Sequence, residues 1–355
     1  MNLVEALGAE IGPRTAGSEE AGQAAEIVAE AFRGLGLEPR FQEFDLLVYE
    51  PEEPELEVGG ARVAAGPCMY SHPGEVEGPL RRLSDGVWAV GERGRVFRSP
   101  FGVGAIPFLT SGILGGHLTS PPAVFVSPAD EAKFEEGVSA RLVVRGEFLP
   151  NRRDRNVIAD LPGEREETVV VGAHYDSVWR GPGVIDNATG VEGLRRVAER
   201  LRHRAHPRSL TFVAFGAEEI SLIGSKYFVR EARDRDELRR IVGMVNLDCI
   251  GHGENLEILA SPVELLGRAR EAARSLGLLD RYRLVTEIGD TAGTDHLPFA
   301  QNDIPAVTVL HFPYPEYHLP AEALALVDEQ RMADAVELAV ALVESQLADP
   351  VSPKS

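Results

Sequence analysis

The sequence predicts an α/β protein of three layers: helices on both faces of a mostly parallel, mixed central sheet, plus a small β-rich insertion. Three observations carry this. From Asn156 onward, apolar runs rich in β-branched residues alternate with stretches of helical periodicity, the pattern of strand–helix–strand units. Between residues 47 and 149 the runs are short and separated by dense turn signals. A chain of 355 residues, 44% of them hydrophobic, suffices for one large core and a smaller satellite. The expected division is one domain of residues 1–46 and 150–348, interrupted by an inserted domain at 47–149.

The elements follow in order. Ala21, Ala24, Ala25, Val28 and Phe32 recur at helical spacing, Ser18 can cap the start, and Gly34 and Gly36 supply the stop. An extended piece over residues 37–46 comes next. Within the insertion, Leu56–Val58, Val87–Val90, Ala123–Val126 and Arg141–Val144 read as strands, and Pro100–Pro122 is too rich in Gly and Pro for a long helix. Beyond it, Val157–Leu161, Thr168–Ala173, Leu210–Phe215, Ile241–Leu247 and Ile304–Leu310 are strand candidates. Val191, Leu194, Val197, Ala198 and Leu201 form a helical stripe with Thr189 as its expected N-cap, and Leu265–Leu276 and Leu324–Leu347 hold further helical patterns.

A net charge of −20 disfavours nucleic acid and anionic membrane surfaces as partners. No stretch approaches the ~18 consecutive apolar residues of a membrane span. The N-terminal MNLVEALGAEIGPR has neither a basic region nor an unbroken apolar core, so the expectation is a cytoplasmic protein. Cys68 and Cys249 show no metal-ligand spacing, and Cys249 in its apolar run reads as a buried, inert thiol. Oligomeric state is not legible.

The chemistry gathers where apolar runs end. TVVVGAHYDS delivers His174 and Asp176 at a strand's carboxyl end, where open α/β sheets place their ligand crevices. An imidazole there can bind zinc through one nitrogen while Asp176 holds its other N–H. Taken alone, His-x-Asp is more often a hydrogen-bonded core histidine. In GPGVIDNATG, Asp186 precedes a helix start; alone it would be a turn residue, and within the set it can bridge two metals. LTFVAFGAEE ends a buried run on adjacent acids, Glu218 and Glu219. Neighbouring carboxylates diverge, so Glu219 can bind metal while Glu218 serves as general base. In IVGMVNLDCI, Asp248 is a carboxylate in otherwise core-like sequence, which requires a cation or strong donors. The region Gly289–Glu322 contains His296, His311 and His318, and spacing does not choose among them.

In this order, the motifs resemble the co-catalytic zinc exopeptidases of the aminopeptidase and glutamate carboxypeptidase II family (peptidase family twenty-eight). The likeness runs from Asn156 to about Glu322, and GPRTAGS resembles the family's opening. The resemblance implies two zinc ions, with cobalt or manganese as substitutes, and a peptide substrate. It implies His174 and Asp248 on one metal, Glu219 and His318 on the other, Asp186 bridging both, and Glu218 as general base. TDHLPF is similar to a family stretch whose histidine is generally not a ligand, which leaves Asp295 and His296 as pocket residues. Tyr317 matches a tyrosine that stabilises the oxyanion in several members. Ile185 departs from the pattern, standing where relatives often place a second acid. Residues 47–149 fall where relatives carry a protease-associated insertion. The implied function is hydrolysis of peptide bonds near a free terminus, most simply by an aminopeptidase. Carboxypeptidase or glutaminyl-cyclase-like chemistry, and a non-catalytic receptor or scaffold, are the alternatives.

Overall fold

The computed structural model describes residues 2–99, 108–109, 121–289 and 293–348. Most of Pro100–Pro122, read above as Gly- and Pro-rich and non-helical, lies outside the described residues, as do residues 290–292 of the late histidine region. The chain forms two compact units, one of Met1–Asp45, Arg153–Tyr314 and Pro320–Ser355, the other of Leu46–Arg152 and Pro315–Leu319.

The first unit is built on an eight-stranded sheet: β1 (Pro39–Pro51), β2 (Gly146–Leu161), β3 (Thr168–His174), β4 (Ser209–Phe215), β5 (Ile241–Leu247), β6 (Asn255–Ser261), β7 (Leu284–Ile288) and β8 (Ala306–Phe312). In space their order is β1-β2-β4-β3-β5-β8-β6-β7. Strands β4, β3, β5 and β8 run parallel, while β2 is antiparallel to β4 and β6 antiparallel to β8. The sheet is therefore mixed with a parallel centre. Val169, Val170 and Val171 are all fully buried, because helices cover both faces and no side of β3 meets water. From β3 the chain goes first to β4 on one side, then to β5 on the other. That reversal opens a crevice beyond the carboxyl end of β3.

Helix α1 (Glu19–Gly34) starts as expected, with Ser18 Oγ accepting the Ala21 N–H at 3.0 Å. Its predicted stripe is buried. Helix α2 (Gly190–Leu201) buries Val191, Leu194, Val197, Ala198 and Leu201, and Thr189 stands at its N-cap position, but its side chain makes no capping hydrogen bond. Thr189 has helical backbone angles, and its hydroxyl donates to Ile185 O at 2.7 Å and accepts the Ile250 N–H at 3.2 Å. It ties down the preceding turn instead. Helices α3 (Ile223–Asp234), α4 (Val263–Ser275), the short α5 (Leu297–Ala300) and α6 (Glu329–Ala348) follow. The rings of Phe215, Phe228 and Phe299 pack together between sheet and helices. A π-type helix, Val4–Ile11, was not foreseen. Its Gly8 lies flat on Val184, where a Cβ would come within 2.9 Å of the valine side chain.

The second unit is a nine-stranded sheet in the order Ala61–Val63, Glu55–Val58, Ser139–Val144, Gly74–Ser84, Val87–Val90, Gly94–Arg98, Ala123–Val126, Gly66–Met69 and Phe108–Leu109. Leu56, Leu80, Trp88, Val96, Val124 and Leu142 fill its core. The Trp88 indole N–H donates to the buried Glu131 at 2.7 Å, which satisfies both groups. No described helix is long and apolar enough to cross a membrane.

Candidate metal centre

The parallel strands bring the predicted residues to one edge. His174 ends β3 and is level with Phe215, the last residue of β4, so Glu218 and Glu219 emerge beside it. Gly172 pairs with Asn246 on β5; two residues further on each strand stand His174 and Asp248, again side by side. Asp186 arrives from the turn before α2. His174 Nε2 lies 3.0 Å from Asp186 Oδ1 and 3.5 Å from Asp248 Oδ1. Two ligand sets share that imidazole, His174–Glu218–Asp248 and His174–Asp186–Glu219, with the chosen atoms of each within 4.8 Å of one another.

Three buried charges hold these groups through the backbone. Asp176, fully buried, accepts the N–H groups of Glu218 at 3.0 Å and Glu219 at 3.2 Å. It fixes the acid pair as directly as it faces the imidazole, since its Oδ1 stands 3.5 Å from His174 Nδ1. Glu322 does the same for the other turn, accepting the N–H groups of Ile185 at 3.0 Å and Asp186 at 3.3 Å, while Tyr314 donates to it at 3.0 Å. Arg14, 0% exposed, grips the opposite face of that loop. Its guanidinium donates to the carbonyls of Tyr175 at 2.5 Å, Pro182 at 2.6 Å and Gly183 at 2.8 Å, as well as Leu7 and Gly12. Gly183 has φ of 58°, and a Cβ there would meet both Ser177 and Arg14. The buried Asn187 completes the cradle, donating to Leu247 O and accepting the N–H groups of Gly190 and Cys249.

Burial and the neighbouring acids Glu219, Asp295 and Asp248 push the Glu218 carboxyl well above its ordinary range, although His174 pulls the other way. Burial opposes protonation of His174, yet the carboxylates of Glu218 and Asp248 outweigh it and hold its pKa well above the usual imidazole value. Burial and the nearby Asp186 raise Glu322 to about 7. Burial lowers Arg14 to about 10 against the attraction of Asp176, Glu322 and Asp186. One imidazole and four carboxylates, of Asp186, Glu218, Glu219 and Asp248, thus crowd a mostly buried space. Such a set is costly unless cations neutralise it. Mixed nitrogen and oxygen donors suit zinc or a similar divalent ion. The residues fit the expected metals.

The other candidates divide. His296 accepts from the hydroxyls of Thr294 and Thr308 at Nδ1 and donates from Nε2 to Gly289 O, so both nitrogens are engaged. His311 donates from Nδ1 to Ile250 O at 2.8 Å, and burial drags its pKa to about 4, which keeps the ring neutral. Tyr317 and His318 fall in the Pro315–Leu319 segment that groups with the second unit. Their rings stack with centroids 3.9 Å apart, and His318 is buried with φ of 59°. Cys249, expected to be inert, is indeed a buried free thiol. Its Sγ also lies 3.3 Å from Asp248 Oδ1, and Asp186, Asp248 and Cys249 form a third possible ligand group. The only sequence sign of this was its place directly after Asp248.

Fold and site define the class: an α/β metallohydrolase with a candidate metal cluster at the carboxyl edge of the sheet's parallel centre. Residues 156–343 match peptidase family M28. The chain belongs to that family and is a metallo-exopeptidase. It is 24% identical to the aminopeptidase YwaD of Bacillus subtilis strain 168, across 100% of this chain and 86% of that one. The structure of a zinc aminopeptidase from Bacillus subtilis superposes with a TM-score of 0.75 at 23% identity, covering 97% of this chain and 93% of that chain. A glutaminyl cyclase from an Acidobacteriales bacterium shares the fold with a TM-score of 0.60 at 16% identity, covering 98% and 93%.

Proposed function

We propose that this protein is an aminopeptidase that works with two divalent metals, zinc in the first place. The observation that carries the reading is the approach of His174 Nε2 to Asp186 and Asp248 within a cluster that also holds Glu218 and Glu219. His174, Asp186, Glu219 and Asp248 would hold the metals together with His318, the last assigned from the family resemblance. When bound, such metals would supply Lewis-acid polarisation of the scissile carbonyl and lower the pKa of a water. Glu218 takes a proton from the attacking water as its oxygen bonds to the carbonyl carbon, then gives that proton to the amine as the peptide C–N bond breaks. Burial and the neighbouring acids raise the affinity of Glu218 for a proton, the direction required of a base that must carry the proton before returning it. Asp176 holds Glu218 in place by its backbone, and the Tyr317 phenol is assigned as donor to the oxyanion.

A glutaminyl-cyclase reading has the shared fold in its favour. Retention of both His174 and Asp248 speaks against it, since the cyclase-like relatives resemble single-zinc enzymes without that histidine. Zinc content and turnover test the two together. Two tightly held zinc ions per chain, with release of amino-terminal residues and no action on N-blocked peptides, is the expected result. One zinc per chain with cyclisation of N-terminal glutamine would replace the aminopeptidase reading.

A further inference from the structure

Helix α3 begins on the backbone of the catalytic turn: the Leu222 N–H donates to Glu218 O, the Ile223 N–H to Ala217 O and the Lys226 N–H to Leu222 O. Beside its first turns lies a cavity of about 610 Å³ lined by Glu43, Phe44, Asp45, Arg153, Ile223, Lys226, Tyr227 and Arg230. Strand β2 runs antiparallel to β4, with Val157 opposite Ala214. Arg153 therefore lies beyond the carboxyl end of β4, at the same edge of the sheet as the metal ligands. Its charge is engaged by Asp45 at 3.2 Å and Glu43 at 3.5 Å.

Lys226 and Arg230 are the other cations of this cavity. The Arg230 guanidinium lies 4.6 Å from the centre of the Tyr227 ring. Lys226 Nζ donates to Ser221 O at 2.7 Å and to Ser221 Oγ at 3.3 Å, which uses two of an ammonium's three protons. Burial lowers the Lys226 pKa while the Glu218 carboxylate raises it, so the ammonium lies within the field of the general base. In a chain of net charge −20, a pocket whose three cations outnumber its two acids, and whose other walls are Phe44, Ile223 and Tyr227, favours a small anion attached to an apolar group. Two chained backbone bonds, Leu222 N–H to Glu218 O and Lys226 N–H to Leu222 O, keep Lys226 within about 11 Å of Glu218 along the backbone, the first link being a non-helical turn with positive φ at Ser221 and Leu222. An extended tripeptide spans roughly 10 Å.

We propose that this cavity receives the free α-carboxylate and apolar C-terminal side chain of a short peptide whose amino end lies at the metal cluster, with Lys226 and Arg230 determining that specificity. The inference rests on the aminopeptidase reading and narrows its substrates to peptides of two or three residues. The test compares kcat/KM for Leu-Phe and Leu-Gly-Phe with their C-terminal amides, in wild type, Lys226→Met, Arg230→Met and the double variant. Wild type should favour at least one free acid over its amide by about tenfold or more, the scale of a charge-assisted contact. The double variant should bring that ratio close to one, through KM more than kcat. Acid and amide are read on the same preparation, so loss of folded enzyme cancels in the ratio. A wild-type ratio near one for both lengths, or a preference that survives in the double variant, overturns the subsite. If the wild type cleaves none of the four peptides but cyclises N-terminal glutamine, it is the aminopeptidase reading that fails.

Discussion

Glu218 and Glu219 are adjacent, and Asp176 receives both their amide N–H groups, yet their side chains join different ligand sets. Glu218→Gln keeps the size and removes the base. Turnover should fall roughly 10²–10⁴-fold, the range for general acid–base catalysis, with zinc content by atomic absorption unchanged. Wild-type turnover in that variant would remove Glu218 from the mechanism. Arg14 offers a second test at this scale. Arg14→Met strips donors from carbonyls on the loop that presents Asp186, and each buried group left unpaired costs about 1–3 kcal/mol. Zinc affinity, read by chelator competition, should weaken about tenfold or more, as when groups supporting metal ligands are lost. Unchanged affinity would mean that the loop holds its shape without the guanidinium. His174, Glu219 and Asp248 could be singled out in sequence because a polar side chain at or just after the end of an apolar run is conspicuous, whereas Asp186, in a Gly- and Pro-rich turn, gained meaning only as part of the set. Arg14 could not, because its partners Tyr175 and Gly183 lie 161 and 169 residues away.

Strand ends and helix starts carry the next level of design. Gly224 opens α3 so tightly against β4 that a Cβ there would stand 2.2 Å from Gly216 O and 2.4 Å from Asn156 Oδ1. Gly224→Ala should destabilise the fold by about 1–3 kcal/mol, the usual cost of overpacking, and loosen the turn bearing Glu218 and Glu219. Thermal unfolding of the metal-free protein checks this; an unchanged Tm would show that the helix can shift freely. The central strands were readable because burial on both faces demands unbroken apolar runs. Strand β6 was missed because Asn255, Glu257 and Ser261 break its hydrophobicity. The last helix was started too early: Leu324–Leu326 form a separate 3₁₀ turn, and the helix proper begins at Glu329. Thr189 looked like a capping side chain because capping and turn-fastening hydroxyls share the same residue types.

For the whole molecule, the α/β class and the carboxyl-edge site follow from alternation of strand and helix. The cradle of Glu322, Asn187 and Arg14 does not, since it depends on tertiary hydrogen bonds that leave no periodicity. Stability should couple to both protons and metal. Burial raises Asp154 to about 6 from 3.8, outweighing the hydrogen bonds it accepts from Tyr175, Gly17 and Arg155. A carboxyl with a raised folded-state pKa contributes stability that is present below the unfolded value and lost as pH climbs through the folded one. Relative to Asp154→Asn, the wild type should therefore lose roughly 2–3 kcal/mol between about pH 4 and pH 6 in urea unfolding. A difference independent of pH would place the ionised form in the folded protein. Zinc should also raise Tm, because only the folded state assembles the ligands, and at a hundredfold excess over Kd the gain is about 2.7 kcal/mol.

Anomalous diffraction at the zinc edge from zinc-loaded crystals measures the centre itself. Two peaks about 3.5–4 Å apart are expected, one beside His174 and Asp248, the other beside Glu219 and His318, with Asp186 between them. A single peak, or density away from His174 and Asp186, would contradict the two-metal centre.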